Sequence, residues 1–277
     1  MRALVYSRTW QRFMRQKLAG LGLILVLCWV VAGRFVTTLT SHNPTSANFE
    51  QRYQPPSWRH FLGTDQFGRD ILSRLLLGSR LSLDLGLAVT VMALLIGTLL
   101  GVTAGYLGGA LDALIMRGVD TLLAFPLIYL LVACVALFGA DWKILVVIMS
   151  LTSWMDLARF VRAEVMSLKE RDFIKAAHVL GFGRCRIMFR HLLPNALAPV
   201  IAFAALRLAD VILLEASLSF LGLGIQPPAV SWGSIIRDGR DVLASAWWIA
   251  TFPGLALLFT VMALNWVAEG LRKALDV

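Results

Sequence analysis

Asp65, Arg69 and Asp70 crowd into one polar run, Gly63-Thr64-Asp65-Gln66-Phe67-Gly68-Arg69-Asp70. Two carboxylates beside a guanidinium can form a charge-assisted hydrogen-bond network. They can also do acid–base work, but no nucleophile with an activating base is recognisable around them, so a clamp holding this loop against the next apolar segment is the stronger reading. Gly63 and Gly68 permit the tight turns it needs. A second set, Arg207, Asp210 and Glu215, lies inside an otherwise apolar run. Charges at membrane depth are costly and turn toward a helix bundle, a partner or a water-filled path. Arg207 and Asp210 are spaced i, i+3 and can pair. An ion pair at a subunit interface and a pathway role both satisfy that spacing. No Gly-x-x-x-x-Gly-Lys-Ser/Thr phosphate loop occurs anywhere in the chain, so any ATP that drives it must be hydrolysed by another chain. Cys28, Cys134 and Cys185 have neither zinc-site nor disulfide spacing and are expected to be free thiols, and no metal site is expected.

The elements that must position these groups are membrane spans. The chain is 58% hydrophobic and 16% charged, with a mean hydropathy of +0.73. Its apolar residues cluster in segments long enough to cross a hydrocarbon core of about 30 Å as helices. Six spans are expected, at about 18–39, 85–106, 119–138, 143–160, 196–216 and 247–268. Pro126 should kink the third. Trp142, Trp154, Trp247 and Trp248 suit interfacial positions, and Arg34 can snorkel at the end of the first span. The basic residues of the N-terminus (Arg2, Arg8, Arg12, Arg15, Lys17) resemble the start of a signal peptide. No small-residue cleavage site follows, so a retained first span is expected.

Six spans put both ends on one side. That side receives roughly twice as many basic residues as the other, so both termini are expected to be cytoplasmic. The net charge of +9 is then orientation chemistry rather than a nucleic-acid surface. The expected organisation is a cytoplasmic segment 1–17, a first span 18–39, an extracytoplasmic segment 40–84 and a core 85–277 holding five spans. A cytoplasmic loop, 160–195, interrupts that core.

This loop is the most informative segment. Asp172 can cap a short helix, and Gly181 and Gly183 can end it. Phe173, Ile174, Ala177 and Leu180 recur at helical spacing on one face. Lys175 adds charge, and the small Ala176 and Ala177 let another backbone approach. Pro194 should separate this unit from the fifth span. A surface helix of this kind can dock a partner or lie on lipid headgroups, and spacing alone favours neither.

Ala176, Ala177, Gly181, Leu193 and Pro194 resemble, in register, the loop by which ABC-importer permeases dock onto their ATPases. Lys175 stands where that motif has Glu, and His191 where it has a hydrophobic residue. The run 63–70, with Ser73-Arg74 and Gly78-Ser79-Arg80 after it, is similar to one found in the C-type permeases of dipeptide, oligopeptide and nickel importers. So is Glu215-Ala216-Ser217-Leu218-Ser219-Phe220 with the glycines and prolines that follow. In the latter, Ser217 and Phe220 join Arg207, Asp210 and Glu215 as candidates for the pathway or its interface, and the small residues and prolines that follow suit either a broken helix re-entering from the outer face or a plain outer loop between spans.

The resemblance implies an all-α type I importer permease in the bacterial inner membrane, acting without chemistry of its own. It implies a heterodimer with a B-type permease, two ATP-binding subunits that hold ATP and Mg, and an extracytoplasmic binding protein. Asp172, Phe173, Ile174, Lys175, Ala176, Ala177 and Gly181 would form the ATPase-coupling element. Di- or oligopeptides are the expected cargo, with nickel chelates or glutathione as alternatives. An ATP-independent channel or ion-coupled transporter is the competing class. The inverted repeats common in secondary transporters are not visible here.

Overall fold

The computed structural model describes residues 10–275. Arg2 and Arg8 of the basic N-terminal cluster lie outside them. Among the described residues the chain is helical, with a single isolated bridge between Thr64 and Asp70. Five helices are long and apolar enough to cross a membrane, and a sixth crossing exists if one sharply bent pair counts as a span.

Helix α1, Lys17–Arg34, turns small residues toward the bundle and large ones outward. A Cβ on Gly22 would lie 2.5 Å from the Ala263 carbonyl oxygen of the last span. Leu21, Ile24, Leu27 and Val31 are exposed, as suits a lipid-facing surface. Helix α2, Ile71–Leu107, runs for 37 residues, about 55 Å at 1.5 Å per residue. It therefore begins well before the expected position 85. Ser73, Arg74, Ser79 and Ser82 mask this start in a hydropathy reading, yet all four are buried against protein. Asp70 caps the helix, its Oδ2 accepting from Ser73 N at 2.8 Å.

Gly97, Gly101 and Gly105 form a stripe down α2. Added Cβ atoms there would stand 2.7 Å from Leu157 Cβ, 2.7 Å from the Ala158 carbonyl oxygen and 2.8 Å from the Arg162 carbonyl oxygen. These contacts press α2 against α5, Trp142–Lys169, in the small-xxx-small manner of membrane helices. Between them, α3 (Gly109–Leu123) and α4 (Leu127–Phe138) meet at an 84° bend. Pro126 sits at the break, so the third expected span is two helices rather than one kinked helix.

Helix α6, Asp172–Val179, follows α5 directly. Next, a continuous helical run, Arg184–Phe220, includes one π turn over Ile187–Leu192 and then α7, Leu193–Phe220. Pro194 therefore does not separate loop from span. It falls just after the widened turn, where its missing N–H and bulky ring are accommodated. Helix α8, Trp232–Arg240, opens with a reciprocal Ser231/Ser234 capping box. Helix α9, Trp248–Ala274, completes the bundle.

Residues 40–70 and 221–247 share one end of the bundle, tied together where Trp248 Nε1 donates to the Thr64 carbonyl at 3.1 Å. The α6 segment lies at the other end. There Lys169 Nζ donates to the Tyr106 carbonyl at 3.0 Å.

Candidate coupling, pathway and outer-loop sites

Helix α6 is two-sided. Ile174 and Ala177 are buried in a cluster with Val102, Val161, Val165 and Ile187. Phe173, Val179 and Leu180 point outward, Leu180 being 70% exposed. The expected single apolar face is thus split. One stripe anchors the helix, and a second apolar set is left facing away from the subunit.

Asp172 is the first residue of the helix rather than its cap, and Arg171, at the cap position, makes no side-chain cap bond. The Asp172 carboxylate still complements the positive end of the helix dipole. Lys175 lies 3.9 Å from it, both side chains in solvent. The helix ends as anticipated. Gly181 takes φ +73°, with Gly181 N donating to the His178 carbonyl and Phe182 N to that of Ala177, at 3.0 and 3.1 Å. Nothing lies within 4 Å of a Cβ added at Gly181, so backbone conformation alone demands the glycine.

Arg207 and Asp210 do pair, Nη1 donating to Asp210 Oδ2 at 3.1 Å. The tighter partner is one that sequence reasoning missed. Asp156 on α5 accepts from Arg207 Nη2 at 2.5 Å. Its signal was an ionisable residue within an apolar run. The three groups are 25%, 58% and 39% exposed for Arg207, Asp210 and Asp156, so the cluster lies on a face open to something beyond this subunit.

Glu215 does not join them. It is buried inside the bundle, where Oε1 accepts from Ser219 Oγ at 2.6 Å and Oε2 from Ser82 Oγ at 3.4 Å. Ser82 Oγ in turn accepts from Trp232 N at 3.2 Å. One carboxylate therefore knits α2, α7 and the start of α8. Ser217 faces the other way, exposed and bonded to its own helix at the Leu213 carbonyl, 2.8 Å away. Together with Phe220, Leu213 and Ile236 it lines a shallow apolar groove. Arg240 lies over the Phe220 ring, 5.8 Å from its centroid.

In the loop that precedes α2 the expected network exists with changed membership. Arg69 Nε donates to Asp65 Oδ2 at 2.7 Å. Arg74 of α2 joins from the buried side and bonds both Asp65 and Asp238 of α8, the latter at 2.9 Å. Asp65 Oδ1 also accepts from Phe67 N and Arg69 N, at 2.8 and 3.0 Å, closing the turn. Asp70 stands apart from this network, shared between its cap and His60. Gly63, at φ +78°, has the Trp248 indole nitrogen 2.6 Å from where a Cβ would be. Gly68, at φ +70°, leaves no room against the Asn48 carbonyl. Thr64 is buried, its hydroxyl donating to the Gln51 carbonyl at 2.5 Å and accepting from Gln54 N at 2.8 Å. Arg34, at the end of α1, is half-exposed and has a partner. It forks onto Asp84 of α2 at 2.7 and 2.8 Å.

These features are those of a helical membrane protein, and comparison with known proteins gives the same answer. Residues 97–277 match the binding-protein-dependent transport system inner membrane component, and residues 6–56 the N-terminal TM domain of oligopeptide transport permease C. The chain is 41% identical over 271 residues to a dipeptide transport system permease protein of Alkalihalophilus pseudofirmus, covering 98% of this chain and 89% of that one. It is 38% identical over 270 residues to a glutathione transport system permease protein of Pectobacterium atrosepticum, covering 96% and 89%. Among solved structures, the inward-facing MetNI methionine ABC transporter aligns with a TM-score of 0.58 at 18% identity, over 74% of this chain and 97% of that one, a likeness of fold. The chain belongs to the family of inner membrane components of binding-protein-dependent transport systems, the permease subunits of ABC importers.

Proposed function

We propose that this chain forms half of the translocation pathway of an ATP-driven importer of di- or oligopeptides. The observation that carries the reading is its near-full-length similarity, at about two residues in five, to permeases named for dipeptides and for di- and tripeptides. On this reading a second, B-type permease covers the groove at Ser217 and Phe220 and the face bearing Asp156, Arg207 and Asp210. Two ATPase subunits, holding ATP and Mg, dock on the outward apolar and charged residues of α6: Phe173, Lys175, Leu180 and the exposed Ala176. A binding protein delivers cargo to the end carrying residues 40–70. Both termini are then cytoplasmic.

The split character of α6 supports a lever role. Ile174 and Ala177 fix it to α2 and α5, so a displacement of the ATPases reaches the spans through packed side chains. This is a two-state element that nucleotide can bias.

Cargo is tested by deleting the gene in its own host and supplying one nutrient at a time. Loss of growth on a dipeptide as sole source of a required amino acid supports the reading. Intact dipeptide growth with loss of glutathione use, or of nickel-dependent enzyme activity, would transfer the assignment to those cargoes.

A further inference from the structure

We propose that His42, His60 and Asp70 form a binding site for a divalent transition-metal ion of the zinc type, at the end of the bundle that carries the outer loop. One donor atom from each residue lies within 4.8 Å of the others, and His60 and Asp70 are buried. Two imidazoles and one carboxylate are the donor set that borderline ions prefer, with a fourth position left for water.

The inner pair is hydrogen-bonded and must part by only about half an ångström to reach the spacing of tetrahedral ligands. His60 Nδ1 and Asp70 Oδ1 stand 2.9 Å apart. Two donors each about 2.0–2.1 Å from one ion are roughly 2.9 Å apart at a right angle and about 3.4 Å at the tetrahedral angle. The outer carboxylate oxygen is held independently. Asp70 Oδ2 accepts from Ser73 N and Ser73 Oγ, both at 2.8 Å, so ligation through Oδ1 leaves the α2 cap intact. The third ligand comes from the solvent side. His42 is half-buried, its ring centroid 4.6 Å from that of His60. It lines, with Asp70, Thr40 and Ser41, a small cavity of about 120 Å³.

Gln51 supplies the supporting contact that metal-bound imidazoles use. With its amide oxygen toward His60, 3.2 Å from Nε2, it accepts the Nε2 proton and leaves the Nδ1 lone pair facing Asp70 for an ion to bridge. With the amide reversed, its nitrogen donates to Nε2 at 3.2 Å and its oxygen accepts from Arg59 at 3.1 and 3.3 Å. His60 then carries its proton on Nδ1 and donates it to Asp70. Metal binding thus needs a tautomer shift and an amide turn, with no net release of protons from a neutral His60. A bound ion would clip the segment after the first span to the loop and to the N-terminus of α2.

The test uses the full-length chain, purified in detergent with its copurifying subunits and stripped with a chelator, then titrated with Zn²⁺ and with Co²⁺ as an absorbing probe. The wild type should bind one Zn²⁺ more per chain than His42→Ala, or bind it at least about tenfold more tightly. His42 is partly exposed, so the variant should assemble normally, as read by size exclusion. His42→Cys keeps a ligand and should restore binding, with a thiolate-to-cobalt absorption band that the wild type lacks. Equal Zn²⁺ binding by wild type and His42→Ala, or a Cys variant without that band, overturns the proposal and leaves His60 and Asp70 as a structural hydrogen-bonded pair.

Discussion

Arg207 of α7 reaches across to Asp156 of α5 with Nη2 2.5 Å from the carboxylate, closer than it stands to its own helical neighbour Asp210. One guanidinium thus sits between two part-exposed carboxylates, and if a second permease covers this face, as proposed, truncating it strands both. Arg207→Met should cut assembly or uptake sharply, and Asp156→Asn added to it should recover part of the loss. A double-mutant cycle should give a coupling of roughly 0.5–3 kcal/mol, as for contacting residues. Strict additivity in the transport assay would assign Arg207 to a hydrated path instead.

Gly181 tests the coupling role separately from stability. Its left-handed backbone costs a residue with a Cβ about 1–2 kcal/mol, while space around it is open. Gly181→Val should leave the subunit inserted but lower uptake per ATP hydrolysed. Gly181→Asn, which tolerates this conformation, should be mild. Equal uptake-to-hydrolysis ratios in all three proteins would remove the helix end from the coupling pathway.

Packing of α2 on α5 depends on absent side chains. Gly101→Leu would drive a branched side chain into the Ala158 carbonyl and Val161. Overpacking of this kind costs about 1–3 kcal/mol or more, and the thermal midpoint in detergent should fall by several degrees. The same change at Gly118, where nothing lies within 4 Å, is the control and should leave the midpoint in place.

Glu215 is a structural knot on this account. Glu215→Gln keeps an acceptor for one of Ser219 and Ser82 and turns an N–H donor toward the other, whose hydroxyl can accept, so it should be tolerated. Glu215→Leu removes the acceptor for the buried Ser219 and Ser82 hydroxyl protons, at about 1–3 kcal/mol for each unsatisfied group. Thermal stability should separate the two variants in that order. An unstable glutamine variant with a stable leucine variant would contradict it.

Much of the architecture was legible from apolar run length alone, because lipid leaves helices few other choices. What escaped was polar residues whose partners are distant in sequence. Arg74 and Ser82 read as the end of a loop because a hydropathy profile cannot know that Asp65, Asp238 and Glu215 await them. Asp156 was passed over for the same reason, its partner lying 51 residues on. Pro194 misled in the opposite sense, since a lone proline signals a break only when no widened turn precedes it. The two-sidedness of α6 was hidden because Phe173 and Ile174 are equally apolar, and only the packing of α2 and α5 decides which is buried.

The most direct measurement of the central claim is uptake in proteoliposomes. The chain would be reconstituted with its companion permease, ATPase pair and binding protein, and supplied with labelled dipeptide. The account predicts accumulation that requires ATP inside the accessible compartment, requires the binding protein, and is abolished when Phe173 and Lys175 are both replaced by Asp while the permease pair still assembles. Dipeptide entry that proceeds without ATP or without the ATPase subunits would contradict it and identify a channel or ion-coupled carrier.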